Sequence, residues 1–172
     1  FETAFATLNV LHEKWPRQPR VLELLAFTCE RLGEWERLLE ILPSLRRHAG
    51  QLPAGRVPAL ERAAGIGVLH KAAREGGGKL RQTWAALPRT ISEDSQVLAT
   101  YVDLMLVTEP GRPELDKLIR GVLKKAWDPA WVERFGRLQP EDPARALGTV
   151  EAWLKETGSA GQDSGAGGGA AS

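Results

Sequence analysis

The chain is poor in cysteine, and Cys29 alone supports neither an internal disulfide framework nor a multi-cysteine metal or iron–sulfur site. It has no uninterrupted apolar run approaching the ~20 residues that span a bilayer. It also lacks any stretch of strict apolar and polar alternation long enough to mark a strand. Net charge is nearly absent as well. Lysine plus arginine number 23 against 22 aspartate plus glutamate, and the pI is near 8.1, so no bulk field calls for nucleic acid or anionic lipid. Any charged partner has to be met locally. His12, His48 and His70 lie far apart in sequence, with no His-Glu-x-x-His and no Cys-x-x-Cys-His attachment motif, so no metal site is expected. There is no initiator methionine and no recognisable targeting signal, and we expect a fragment of a longer protein whose upstream sequence is free to carry one. What remains is 172 residues, 42% hydrophobic and 26% charged, enough for one domain or a short stack of helical repeats.

Apolar residues recur at three and four throughout, which makes the expected fold class all-α. Asp128-Pro129 and Asp142-Pro143 each set an N-cap acceptor before a proline at the first helical position, where the missing N–H costs nothing. Ser92, with Glu93 and Asp94 behind it, is the expected cap of another helix, which Pro110-Gly111 ends. Further starts fall near Pro19, Pro58 and Pro113, and Gly33, Gly50 and the triple Gly76-Gly77-Gly78 read as turns. The expected helices are 2–14, 19–32, 35–48, 58–75, 79–87, 93–108, 113–126, 129–136 and 143–157. Residues 158–172 hold almost only Gly, Ala, Ser, Gln and Asp, a composition that buries nothing, and are expected to form a disordered tail after a domain at 1–157.

Short loops make helical hairpins the natural unit, and one hairpin carries a pattern. Leu25-Ala26, Cys29, Leu32-Gly33, Trp35, Leu38, Leu42 and Leu45 are spaced as in the tetratricopeptide repeat, where small and large residues alternate so that two helices nest and a glycine makes the turn. Leu38 stands where a small residue is expected and should loosen the nesting. Leu98-Ala99, Val102 and Met105 repeat the first half of the pattern 73 residues on, and the stretch Leu60 to Leu87 fits it loosely. The expectation is a short right-handed solenoid of stacked helix-turn-helix repeats.

More specific words lie on this frame: Trp84-Ala85-Ala86-Leu87-Pro88, then Ala126-Trp127-Asp128-Pro129, then Phe135-Gly136-Arg137-Leu138, Asp142-Pro143-Ala144-Arg145 and Ala152-Trp153-Leu154. In this order residues 1 to 157 resemble the C-terminal half of the HemY family, the proteobacterial tetratricopeptide protein tied to late protoheme synthesis. The resemblance implies an inner-membrane protein with an N-terminal anchor outside this fragment, a non-catalytic scaffold role, and partners such as ferrochelatase or another terminal heme-synthesis enzyme. It transfers no catalytic residue and no resident cofactor.

In a repeat array the free face of each first helix lines the concave side. The residues expected there are Arg20, Glu23, Phe27, Glu30 and Arg31, with Gln96, Thr100 and Asp103 from the later helix. This mixture of charge and one aromatic suits a protein segment better than a dry cofactor pocket. Trp127 and Trp131 flank a helix start and are candidate contacts for heme or another porphyrin, with His70 the candidate axial ligand; the preferred readings are packing of the final helices for the tryptophans and a solvated surface for His70. Cys29 reads as a small core residue. Trp35, Trp84 and Trp153 read as core anchors. Lys117, Arg120, Lys124 and Lys125 put cations at helical spacing, facing phosphates, propionates or a membrane surface, or simply solvent. Gly76-Gly77-Gly78-Lys79 has neither the strand nor the spacing of a phosphate loop. Besides a scaffold, the classes left open are a tetrapyrrole carrier or sensor and a repeat adaptor of an unrelated envelope assembly.

Overall fold

A computed structural model describes residues 1–138 and 143–160, and all regular structure among these residues is helical. The chain divides into two compact units, one spanning Phe1–Thr108 and one beginning at Glu109. In the first, α1 (Glu2–Lys14), α2 (Pro19–Leu32) and α3 (Trp35–Arg47) lead through a short 3-10 turn at Ala49–Gln51 to α4 (Arg56–Glu75), followed by α5 (Gly77–Ala86), α6 (Arg89–Ser92) and α7 (Ser95–Thr108). The second holds α8 (Pro113–Lys125), α9 (Pro129–Gly136) and α10 (Pro143–Ala160). Helix α10 runs past the end expected near 157; Asp142 and residues 161–172 of the expected tail lie outside the described residues.

The α2–α3 hairpin forms as its sequence dictates. Pro19 occupies the first turn of α2, the stripe Leu22, Leu25, Ala26 and Cys29 is buried, and Gly33 ends the helix at φ 72°, a left-handed conformation open chiefly to glycine. Leu38, Ile41, Leu42 and Leu45 close the other side. Leu38, where the pattern expects a small residue, is fully buried.

Helix α4 organises the unit, packing against α2, α3, α5, α6 and α7. Its Gly67 lies directly against the Trp35 indole, and its Gly65 against Ile91 and Val97. Polar ties run to the same helix. Arg56 Nη2 donates to Glu30 Oε2 at 2.9 Å, Arg46 reaches both Glu61 and Thr90, Lys71 Nζ lies 2.7 Å from Glu36, and Arg62 Nε donates to Asp94 Oδ2 at 2.9 Å. The repeat register also passes through it. Buried triplets recur as Leu25-Ala26-Cys29, Ala64-Gly65-Val68 and Tyr101-Val102-Met105, at spacings of 39 and then 37 residues. Leu98 and Ala99, expected to match Leu25 and Ala26, instead sit one turn too early and are only half-buried.

Three boundaries differ from expectation. Gly76 alone makes the α4–α5 turn, while Gly77 and Gly78 begin α5. Helix α4 starts two residues before Pro58, which fits because the first turn has no internal partner for an N–H. Asp94 replaces Ser92 as a cap, because Ser92 is taken up in the short α6. Asp94 Oδ1 accepts the N–H groups of Gln96 and Val97 at 2.9 and 3.2 Å while Oδ2 holds Arg62. Burial pushes the Asp94 carboxyl up, but Arg62 and the two amides outweigh it and hold it below the usual aspartate range. Its stabilisation is complete above the unfolded-chain value near ~4 and is lost as pH falls through the lower folded value. Asp94→Ala should cost about 1–2 kcal/mol at neutral pH. Asp94→Asn keeps the cap acceptor and loses the charge. Its deficit against wild type, measured by urea unfolding at pH 7 and again below pH 3, should shrink in acid.

Cys29 lies in the α2 core, where burial pushes its thiol up to about 11. It should resist a disulfide-exchange reagent at pH 8 in the native state and react only at the rate of unfolding; fast native labelling would show an open α2–α3 interface.

Candidate functional site

The five expected contact residues of α2 fall around one half-exposed aromatic. Phe27 is 47% exposed, its ring centroid lies 6.3 Å from that of Phe1, and the Arg31 guanidinium sits 5.5 Å over the Phe1 ring. Three of the four charges beside it are paired within the fold: Arg20 Nη1 donates to Glu23 Oε2 at 2.9 Å, and Glu30 accepts from Arg56, while Arg31 meets only the Phe1 ring among the described residues. An apolar centre bordered by internally satisfied ion pairs costs little to desolvate, which is the chemistry of a protein contact rather than of a reacting site. Leu24, exposed one turn before Phe27, enlarges this centre. Sequence reasoning missed Leu24, although its i, i+3 spacing to Phe27 was visible, and missed Arg56, whose pairing across helices leaves no local signal.

Gln96, Thr100 and Asp103 stand on α7, which packs with α4, α5 and α6, so α4 is the element joining them to the α2 set. Gln96 is exposed, while the Thr100 hydroxyl donates to the Gln96 carbonyl. A groove of about 180 Å³ also opens in this unit, with Leu39, Val68 and Ala72 as its floor and the Glu36–Lys71 pair on its rim. The Lys71 bond holds the Glu36 carboxyl low, and Glu36 in turn raises Lys71.

The candidate tetrapyrrole contacts differ in exposure. Trp131 is only 6% exposed, because it lies one turn before Phe135 on the inward face of α9 and both pack towards α8. Of the two tryptophans Trp131 is thus taken up in packing, as the favoured reading of the pair had it, and Trp127 stays open. Trp127, placed before the Asp128 cap, is 42% exposed, with its ring edge-on to Trp153 at 6.3 Å. Trp153 is half-buried and also meets Phe135 at 5.0 Å. Trp35 and Trp84 are half-buried too, the latter stacked on Tyr101 at 4.2 Å. His70 is exposed on α4 and belongs to the other unit from Trp127. His12 is half-buried with its Nδ1 unpartnered, and burial followed by Arg37 lowers its pKa; His48 Nδ1 lies 2.9 Å from the Ser44 carbonyl. Among the described residues no group of three or more His, Cys, Asp or Glu is placed to hold a metal, and no helix is long and apolar enough to cross a membrane.

Comparison with known proteins gives the helical frame a lineage. The chain is 26% identical over 153 residues to Protein HemY of Escherichia coli strain K12, and equally to Protein HemY of Escherichia coli O157:H7 and of Shigella flexneri. The chain is a relative of HemY. The match covers 88% of this chain and 38% of each HemY protein, so the chain spans less than two fifths of the length of these relatives. No family model and no solved structure matches it. The Trp-Asp-Pro and Gly-Arg-Leu words that carried the resemblance to HemY sit at the start and end of α9: the Asp128 carboxylate accepts the Ala130 N–H at 2.9 Å, and Arg137 caps the last turn.

Proposed function

We propose that this chain is a non-catalytic, tetratricopeptide-like interaction region of a HemY-type protein, and that the whole protein gathers late heme-synthesis enzymes at the bacterial inner membrane. The observation that carries this proposal is the α2 face: Phe27 and Leu24 stay open to solvent on a buried-core hairpin while Arg20 pairs with Glu23 and Glu30 with Arg56. Its mechanism is positional. The face holds a segment of a partner such as ferrochelatase, and shared attachment to one membrane raises the effective concentration at which a reactive, poorly soluble porphyrin is passed on. Relationship to HemY supports the heme connection, and the absence of a clustered acid, base and nucleophile in the α2 face is compatible with a non-enzymatic role.

The test is a quantitative cross-linking pull-down of the full-length protein from native membranes, with the double variant Phe27→Ala, Arg31→Glu as control. Recovery of ferrochelatase or the porphyrinogen-oxidising enzyme with wild type, and its loss with the variant, is the expected result. Enrichment of neither above an unrelated membrane protein would sink the proposal. The half-exposed Trp127 favours a second function, tetrapyrrole carriage. That function requires a saturable one-site Soret shift that Trp127→Ala abolishes.

A further inference from the structure

The second unit divides its cations in two. Its arginines are used internally: Arg112 pairs with Glu109, Arg120 bonds Asp116 and Thr149 and lies 5.1 Å over the Phe135 ring, and Arg134 lies 5.1 Å over Trp131. Its α8 lysines are not. Lys117 and Lys124 stand two turns apart, opposite the buried stripe Leu115, Ile119 and Leu123, with Lys125 beside them, and all three are exposed with no ion pair to a described residue. The expected four-cation row is therefore three lysines, with Arg120 turned inward. Exposed apolar groups accompany them. Trp127 follows the lysine pair directly, and its contact with Trp153 brings the α10 segment containing Leu154 to the same end of the unit. Leu154 and Leu147, two turns apart on α10, are 58% and 61% exposed. Glu151 shares their stripe, and Glu114 and Asp128 are exposed beside Lys117 and Trp127, so the positive charge is local to the three lysines.

We infer that this end of the second unit, Lys117, Lys124, Lys125 and Trp127, rests on an anionic lipid surface. Each component fits that partner. An indole with one side packed and one side free is the side chain that settles at the boundary between headgroups and acyl chains. Lysines keep flexible, hydrated point charges that follow a fluid field of phosphates, whereas fixed carboxylates of a protein partner would favour the planar fork of arginine, which this unit uses elsewhere. The contact is separate from the α2 face and stands or falls without it.

The experiment is co-sedimentation of the full chain with vesicles of phosphatidylcholine alone or with 30 mol% phosphatidylglycerol, at ~50 and ~300 mM salt. Binding should require phosphatidylglycerol, weaken at the higher salt, and fall about tenfold or more in Lys124→Glu, Lys125→Glu. Tryptophan emission should shift to the blue on binding for wild type and not for Trp127→Ala. All these positions are exposed, and far-ultraviolet circular dichroism will verify that the variants fold. Equal binding to both vesicle types, no binding to either, or unchanged binding by the lysine variant overturns the inference. Salt-sensitive capture of an acidic protein without vesicle binding overturns it in favour of a protein partner.

Discussion

Leu38→Ala will cost the first unit about 2–5 kcal/mol, the range for emptying a fully buried leucine site, and should lower Tm by on the order of 10 °C. The repeat pattern points the other way, because a small residue is what a tetratricopeptide hairpin ordinarily places there. The structure decides between them. Leu38 is completely buried between α2 and the rest of α3, with Cys29 and Leu42 also in that core, so alanine leaves a cavity rather than a closer hairpin. Thermal or urea unfolding of the single variant checks this. A neutral or stabilised protein would mean that the helices approach more closely than the side chain allows.

The second large effect belongs to Gly67. Alanine in place of a mid-helix glycine normally gains about 1 kcal/mol. Here an added Cβ would run into Trp35 Cδ2 and come 2.5 Å from its Cγ, and the ring root cannot swing aside without moving α3. Gly67→Ala should therefore destabilise by about 1–3 kcal/mol despite the propensity gain. In a Trp35→Ala background the clash is gone, and the same substitution should become neutral or stabilising. That reversal of sign is what a double-mutant cycle would measure. Additive losses would show that Trp35 does not lie on Gly67.

These two positions also show how far the sequence could be read. The α2–α3 hairpin was legible because three independent local signals agreed: Pro19 at the start, Gly33 at the turn and the apolar spacing between them. Gly67 was not, since a glycine on a helix says nothing until its partner is known, and Trp35 lies 32 residues away. The later repeat register was set one turn too early for a related reason. Tyr101 and Val102 are larger than Leu25 and Ala26, so matching residue type favoured Leu98-Ala99, whereas packing on α4 selected Tyr101-Val102. Helix α6 was hidden by its length, four residues after Pro88 with no full turn of periodicity to detect.

The site was legible in part. Helical spacing grouped Arg20, Glu23, Phe27, Glu30 and Arg31 on one helix, and the structure leaves Phe27 open at their centre. Spacing could not reveal that Glu30 is held by Arg56 from another helix, nor that Trp131 turns inward while Trp127 does not. That difference follows from helix phase. Trp131 shares the inward face with Phe135, whereas Trp127 precedes the cap and has no helical phase to obey.

The central claim is that the α2 face touches a heme-synthesis enzyme. The most direct measurement is site-specific photocross-linking in the full-length protein in native membranes, with the photoreactive side chain at position 27 and, as control, at position 89, where the Arg89 side chain is exposed on α6. A cross-link from position 27 to ferrochelatase or the porphyrinogen-oxidising enzyme, absent from position 89, is the predicted result. Identical products from both positions, or none of these enzymes from position 27, would contradict it.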